Sequence, residues 1–207
     1  RARMLSYHLH KFGWEVTIVC RDDSPIYLDT PKETMDFSLT SVEVIKVAEW
    51  PKTMWNLLGI RSQGWRMWLP ILLTGHRVIR KKKITLVFIT TAHRSLYCIG
   101  AVWNKLTGVP YIIDFHDPMG NVRSGYSTYV RTRKSVLSQT LSHLMDSFSI
   151  NQAAGFVSVS EAYLEDIVRL NSARNDSLME TIPFAGDPLD LKLARAQPQD
   201  LELTAHW

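Results

Sequence analysis

The chain has 207 residues, of which 45% are hydrophobic and 21% charged, and its 24 Lys and Arg against 20 Asp and Glu give a formal net charge of +4. This composition excludes a disordered or fibrous protein, and the length suits one large domain of roughly 150–200 residues. No apolar run approaches the roughly 20 residues of a membrane-spanning helix, and no segment of the sequence has the apolar pattern of a signal peptide. Since Cys20 and Cys98 cannot build a disulfide framework, we expect a reducing, cytoplasmic location.

The first half of the chain alternates between helical and strand patterns. Apolar residues recur at helical spacing from Arg1 to Phe12, and Gly13 is expected to end that helix. Short β-branched runs predict strands over 15–20 and 42–47, separated by a polar loop at 21–40. A helix is predicted over 63–82, with a kink or break at Pro70.

The second half continues the alternation. It predicts strands over 84–90, 111–115, 156–159 and 180–183, and helices over 95–106, 127–153 and 160–170. Strands alternating with helices of about 12 or more residues indicate βαβ crossovers. We therefore predict an α/β fold with a doubly wound parallel sheet. Because residue 1 lies within a helical pattern and 201–207 begin an isolated strand pattern, we also expect a piece of a larger protein.

Such sheets bind ligands beyond the carboxyl ends of their strands, which ranks the loops. The densest candidate is Asp114, His116 and Asp117, at the end of the predicted strand 111–115 and directly after it. Two carboxylates flank an imidazole, a group that exchanges a proton or donates a hydrogen bond near neutral pH. The alternative is that Asp114 caps a turn and His116 is an ordinary surface residue.

Two further loops follow strands. Thr91, His93, Arg94 and Ser95 precede a helix whose N-terminus would attract a phosphate, unless Ser95 is only its N-cap. Ser160 and Glu161 begin the predicted helix over 160–170, where local capping and the helix dipole are the favoured explanation.

A basic, Trp-rich segment spans residues 50–83, with eight Lys and Arg and no Asp or Glu. This combination suits the headgroup layer of an anionic membrane, although the tryptophans could equally pack on the sheet. Single-stranded nucleic acid also suits such a pattern, but no known motif accompanies it, so no nucleic acid is expected. The candidate membrane contacts are Trp55, Trp65, Arg66, Trp68, Arg80, Lys81, Lys82 and Lys83.

Several catalytic signatures are absent from the sequence. It has no phosphate-binding P-loop, no dinucleotide-binding glycine motif, no C-x-x-C pair and no G-x-S-x-G elbow. No spacing of His, Cys or acidic residues indicates a metal site.

Four segments resemble family 4 retaining glycosyltransferases, in the order that this family has them. They are LHKFGWEVTIV at 9–19, LTGVPYIIDFHDP at 106–118, AAGFVSVSE at 153–161 and TIPFAGDP at 181–188. The resemblance departs from the family at Phe184 and Ala185, which replace a usual Asn-Gly.

The resemblance implies a GT-B architecture of two Rossmann-like domains, of which residues 1–185 would form the N-terminal, acceptor-side domain without its first strand. Residues 186–207 would be the linker and first strand of a donor-binding domain. It further implies hexosyl transfer from a nucleotide-sugar donor to a saccharide or lipid-linked acceptor, with no cofactor or metal, by a chain that is inactive alone. His116 would lie near the reacting sugar, framed by Asp114 and Asp117. The loop 91–95 would line the acceptor pocket, and Ser160 and Glu161 would border the cleft.

Two other functions stay open at this stage. One is a non-catalytic α/β module that binds a membrane or a partner through the basic segment. The other is a different Rossmann-like enzyme, such as a sugar epimerase. We expect the transferase to work in the cytoplasm, at the inner face of the cell membrane.

Overall fold

A computed structural model describes residues 2–22, 42–50, 63–117, 144–171 and 177–184. The predicted loop 21–40, the first part of the predicted helix 127–153, Trp55 and the strand pattern at 201–207 lie wholly or mostly outside these residues.

The first predicted helix is confirmed. Helix α1 (Ala2–Leu9) continues as a 3₁₀ turn (His10–Phe12) and ends at Gly13. Gly13 has a φ of +79°, the left-handed conformation that glycine adopts without a Cβ clash, and its N–H donates to the His10 carbonyl at 3.0 Å.

Strands β1 (Thr17–Arg21) and β2 (Glu43–Val47) form a two-stranded parallel sheet. Thr17 lies opposite Glu43, and Arg21 lies opposite Val47. Both strands begin one or two residues later than the sequence predicts.

Helix α2 (Gln63–Lys82) has the predicted bounds and continues through Pro70, so of the predicted kink or break the break does not occur. A proline inside a helix costs about 3 kcal/mol, and tertiary packing offsets that cost here. Pro70 is itself buried, and five residues further on Gly75 lies directly against the Trp103 ring of the next helix.

The second sheet has four parallel strands in the order β3, β4, β5, β6. Their bounds are Val87–Thr90, Tyr111–Phe115, Gly155–Ser158 and Leu178–Thr181. Strand β4 has the predicted residues. Strand β3 begins three residues later than predicted, while β5 and β6 begin one and two residues earlier.

The remaining described helices connect the strands of this sheet. They are α3 (Tyr97–Thr107), helical residues 144–150 (α4) and α5 (Glu161–Asn171). Helix α4 ends three residues before the predicted end at Ala153. Helix α3 begins two residues later than predicted because a 3₁₀ turn (Arg94–Leu96) precedes it. The expectation that Ser95 is the N-cap is therefore wrong: His93 holds the cap position of that turn, and its carbonyl accepts the Leu96 N–H at 2.9 Å.

Two apolar clusters hold the layers together. One joins α3, α4 and α5 to the four-stranded sheet around Tyr111, Ile113 and Phe156. The other joins α2 and α3 to β2 around Met67 and Ile99. Parallel strands covered by helices confirm the predicted α/β class, although the described strands form two sheets.

Candidate functional site

The strongest candidate site lies at the carboxyl ends of β3 and β4. Thr90 is the last residue of β3, and the strand register places it opposite Asp114 of β4. His116 follows β4 directly. In a parallel sheet the carboxyl ends of the strands form one edge, which is where such folds bind ligands.

Three side chains meet at this edge, which we call the Thr90–Asp114–His116 cluster. The Thr90 hydroxyl donates to Asp114 Oδ2 at 2.9 Å, and it lies 2.9 Å from His116 Nε2. His116 Nε2 is also 2.9 Å from Asp114 Oδ2. The Asp114 side chain is completely buried, whereas that of His116 is 22% exposed. The cluster therefore presents an imidazole at the surface, and a buried carboxylate on its inner side holds the ring in place.

Phe184, which follows β6, contacts the same imidazole. The two ring centroids are 5.8 Å apart, with an interplanar angle of 72°. Phe184 is 67% exposed, so it forms part of the surface that a ligand of His116 would meet. The sequence singles out Phe184 only as a departure from the family pattern and gives no sign of this contact.

Asp117 is exposed and directly follows His116 in the chain. Burial raises the pKa of the Tyr97 hydroxyl, Arg94 acts in the opposite direction, and the charges of Asp114, Asp117 and Asp146 raise it further. The Tyr97 hydroxyl donates to the Thr91 carbonyl at 2.9 Å, which links the loop after β3 to the core. Tyr97 is a supporting residue that the sequence analysis did not identify.

The loop 91–95 has its polar groups engaged in different ways. Thr91 Oγ1 accepts the His93 N–H at 3.1 Å, and the His93 side chain is exposed. Arg94 forms an ion pair with the buried carboxylate of Asp146 in α4. Ser95 lies against the start of α2, where a Cβ on Gly64 would be 2.3 Å from Ser95 Oγ.

Ser160 and Glu161 lie at the start of α5. The Ser160 carbonyl accepts the Tyr163 N–H at 3.1 Å, and Ser158 Oγ accepts the Ser160 N–H at 3.3 Å. Glu161 is exposed and lines a shallow groove between α5 and β6, and Thr90, Asp114 and His116 do not line this groove.

Two of the predicted membrane contacts make interior contacts. Trp68 packs against the second apolar cluster, and its Nε1–H donates to Cys98 Sγ at 3.1 Å. Arg66 donates to Glu49 Oε2 at 3.1 Å, and Glu49 also accepts from Arg21 at 2.7 Å. The Trp65 side chain is partly buried.

The end of α2 and the residue after it are more exposed. Lys82 forms an ion pair with Glu43 and donates to Thr17 Oγ1 at 3.1 Å. Arg80, Lys81 and Lys83 are exposed, and within the described ranges they form no ion pair. None of the helices in the described ranges is both long and apolar enough to cross a membrane. The same residues include no group of three His, Cys, Asp or Glu that could hold a metal ion.

Comparisons with known proteins agree with the predicted resemblance. A family model described as "Glycosyl transferase 4-like domain" matches residues 1–183, a range that includes every described strand. No curated protein sequence matches the chain. The solved structure of a sucrose-phosphate synthase from Thermosynechococcus elongatus superposes with a TM-score of 0.55 at 11% identity, over 94% of this chain and 90% of that chain. HepE of Anabaena, in complex with UDP-glucose, has a TM-score of 0.47 at 13% identity, over 86% of this chain and 48% of that chain.

These findings confirm two sequence predictions. The family match confirms the resemblance to family 4 glycosyltransferases over most of the chain. The likeness to the sucrose-phosphate synthase shows a shared fold and confirms the predicted Rossmann-like α/β class, the N-terminal half of a GT-B architecture.

Proposed function

Because the chain belongs to the glycosyl transferase 4-like domain family, we propose that it is the acceptor-side domain of an enzyme that transfers a sugar from a nucleotide-sugar donor. The transferred group is a hexose, the anomeric configuration is retained, and the acceptor is a saccharide or a lipid-linked sugar. The donor is a substrate, and the chemistry uses no separate cofactor or metal.

The observation that carries this proposal is the Thr90–Asp114–His116 cluster at the carboxyl edge of a parallel sheet, within the range that the family model matches. A preorganised donor aimed at developing charge is usually the largest contribution to transfer catalysis. In this role His116 binds the donor sugar or its leaving phosphate, and Asp114 holds the ring. The exposed Asp117, His93 and Glu161 and the partly buried Thr91 are the residues proposed to meet substrate around it.

We also propose that transfer requires a second, donor-binding domain, to which residues 186–207 lead. The end of the family match at residue 183, two residues after β6, supports this division of the chain. The chain by itself is then expected to bind acceptor but not to transfer sugar.

The test of the proposed function is sugar transfer by the complete gene product with a panel of nucleotide sugars. His116→Ala should lower the rate by about 10²-fold or more, the usual effect of removing one preorganised donor. His8→Ala, which removes a histidine in α1, is the matched control and should leave the rate unchanged. Wild-type transfer by His116→Ala would refute the role of His116, and no transfer from any nucleotide sugar would refute the activity.

For the membrane, we propose contact through Arg80, Lys81 and Lys83 at the cytoplasmic face, because these three exposed cations lie close together at the end of α2 and form no ion pair within the described ranges. Each contributes about 1 kcal/mol near an anionic surface. Replacing all three by Gln should abolish sedimentation with phosphatidylserine vesicles in low salt. Replacing Lys11, Lys105 and Arg169 by Gln removes the same charge elsewhere and should leave this sedimentation unchanged. Equal binding by both triple variants would contradict a localised contact.

A further inference from the structure

The Thr90 hydroxyl takes part in the candidate site, although the sequence places Thr90 only at the end of a predicted strand, before the loop 91–95. It is within 2.9 Å of both Asp114 Oδ2 and His116 Nε2, which are themselves 2.9 Å apart. Three mutual contacts of this length fix the relative positions of all three groups.

The chemistry of these groups determines which ring nitrogen carries the proton. An ionised carboxylate only accepts hydrogen bonds, and the Thr90 hydroxyl uses its single proton to donate to that carboxylate. His116 Nε2 therefore has two acceptors beside it and no donor, so it must be an N–H. A neutral imidazole carries one N–H, which leaves Nδ1 with the lone pair.

Nδ1 is then the nitrogen available to a ligand. Within the described part of the chain, no group is hydrogen-bonded to Nδ1, and the side chain keeps 22% of its surface exposed. The carboxylate on the other side of the ring is completely buried.

We propose that Thr90 is a positioning residue that, with Asp114, holds Nε2–H of His116 inward and so presents Nδ1 to the substrate. The inference rests on the proposed transferase function, and it specifies which ring nitrogen of His116 contacts the substrate. Nδ1 accepts a hydrogen bond from a sugar hydroxyl when the ring is neutral, and it donates to a phosphate oxygen when the ring is protonated.

The first test is imidazole NMR of the ¹⁵N-labelled full chain without substrate, in alkaline buffer where imidazoles are neutral. His116→Gln identifies the ring signal among the seven histidines. We expect a slowly exchanging Nε2–H in the wild type and in Thr90→Ser, which keeps the hydroxyl. Thr90→Val keeps the shape without the hydroxyl and should lose that slow exchange, as should Thr90→Ala if the valine variant does not fold.

The matched control is Thr107→Val, which removes a hydroxyl that donates to the Trp103 carbonyl at 2.7 Å. It should leave the His116 signal unchanged. A proton found on Nδ1, or slow exchange preserved in both Thr90→Val and Thr90→Ala, would overturn the inference.

The second test is transfer by the complete gene product. Thr90→Val should lower kcat/KM roughly tenfold, the equivalent of one hydrogen bond, and Thr90→Ser should restore it. Wild-type kcat/KM in Thr90→Val would overturn the positioning role even if His116→Ala is inactive. Wild-type transfer by His116→Ala would instead refute the proposed function, whatever the NMR result.

Discussion

At the scale of single residues, Arg94 is predicted from the sequence to bind a ligand, but its ion pair with Asp146 gives it a role in the stability of the fold. The Asp146 side chain is 6% exposed and that of Arg94 is 41% exposed. Arg94→Gln would remove this cation from beside a buried carboxylate, and we expect a loss of about 1–2 kcal/mol in the free energy of unfolding, discounted for the exposed arginine. Urea denaturation measures it.

The control for this prediction is another arginine pair. Arg169 and Asp166 are paired at 2.7 Å, with side chains that are 59% and 29% exposed. Arg169→Gln should change the free energy of unfolding by no more than about 0.5 kcal/mol, as is usual for exposed pairs. Equal losses in both variants would contradict a special role for the buried carboxylate.

The same scale shows what the sequence could and could not predict about the site. Asp114 and His116 were predictable because they directly follow an apolar run, and the carboxyl end of a buried strand is a binding position. The role of Thr90 in the site was not predictable, because only the pairing of β3 with β4 places it opposite Asp114. Register is a tertiary property, and Thr90 is separated from Asp114 by 24 residues of sequence.

At the scale of elements, the contact of α2 with α3 depends on a residue without a side chain. A Cβ on Gly75 would lie 2.1 Å from Trp103 Cζ2, and Trp103 Nε1–H donates to the Leu72 carbonyl at 3.0 Å. Gly75→Ala must push the two helices apart or displace the ring, at a cost of about 1–3 kcal/mol. Denaturation and the near-ultraviolet circular dichroism of tryptophan both measure the effect.

A substitution two residues away provides the comparison. Leu73 lies in the same helix and is 51% exposed. Leu73→Ala should cost no more than about 0.5–1 kcal/mol, because the lost side chain was half in water. If Gly75→Ala is as stable as Leu73→Ala, the helices do not pack as closely as these distances require.

The bounds of an element were predictable where its apolar pattern begins or ends at a residue that interrupts regular structure, such as glycine or proline. Strand β4 is buried along most of its length and follows Gly108 and Pro110, so its apolar run has a clear start. Ser95 has the composition of an N-cap, but the chain first forms a 3₁₀ turn there. That turn packs under the start of α2, a contact that no local pattern encodes.

At the scale of the whole molecule, α2 connects two sheets that the sequence predicts as one. Its last residue, Lys82, pairs with Glu43 at the start of β2, and its first turns contact the loop after β3. The parallel class follows from the alternation of elements. The division of the strands into a two-stranded and a four-stranded sheet follows from which strands pair with each other, and composition does not determine this pairing.

Two buried tyrosines in the core lead us to expect that the free energy of unfolding falls at alkaline pH. Tyr97 and Tyr111 are 3% and 0% exposed, and burial raises the pKa of each hydroxyl above the ordinary value of 10.0. Below pH 10 both hydroxyls are neutral in the folded and unfolded chain. Above it the unfolded chain loses these protons while the folded chain keeps them, so the free energy of unfolding falls by up to about 1.4 kcal/mol per pH unit for each tyrosine. Urea denaturation from about pH 9 to about pH 11.5 should show this decline, a shallower slope in Tyr97→Phe, and a shallower one still in Tyr97→Phe/Tyr111→Phe. Identical slopes in all three proteins would mean that the hydroxyls ionise in the folded core as readily as in the unfolded chain.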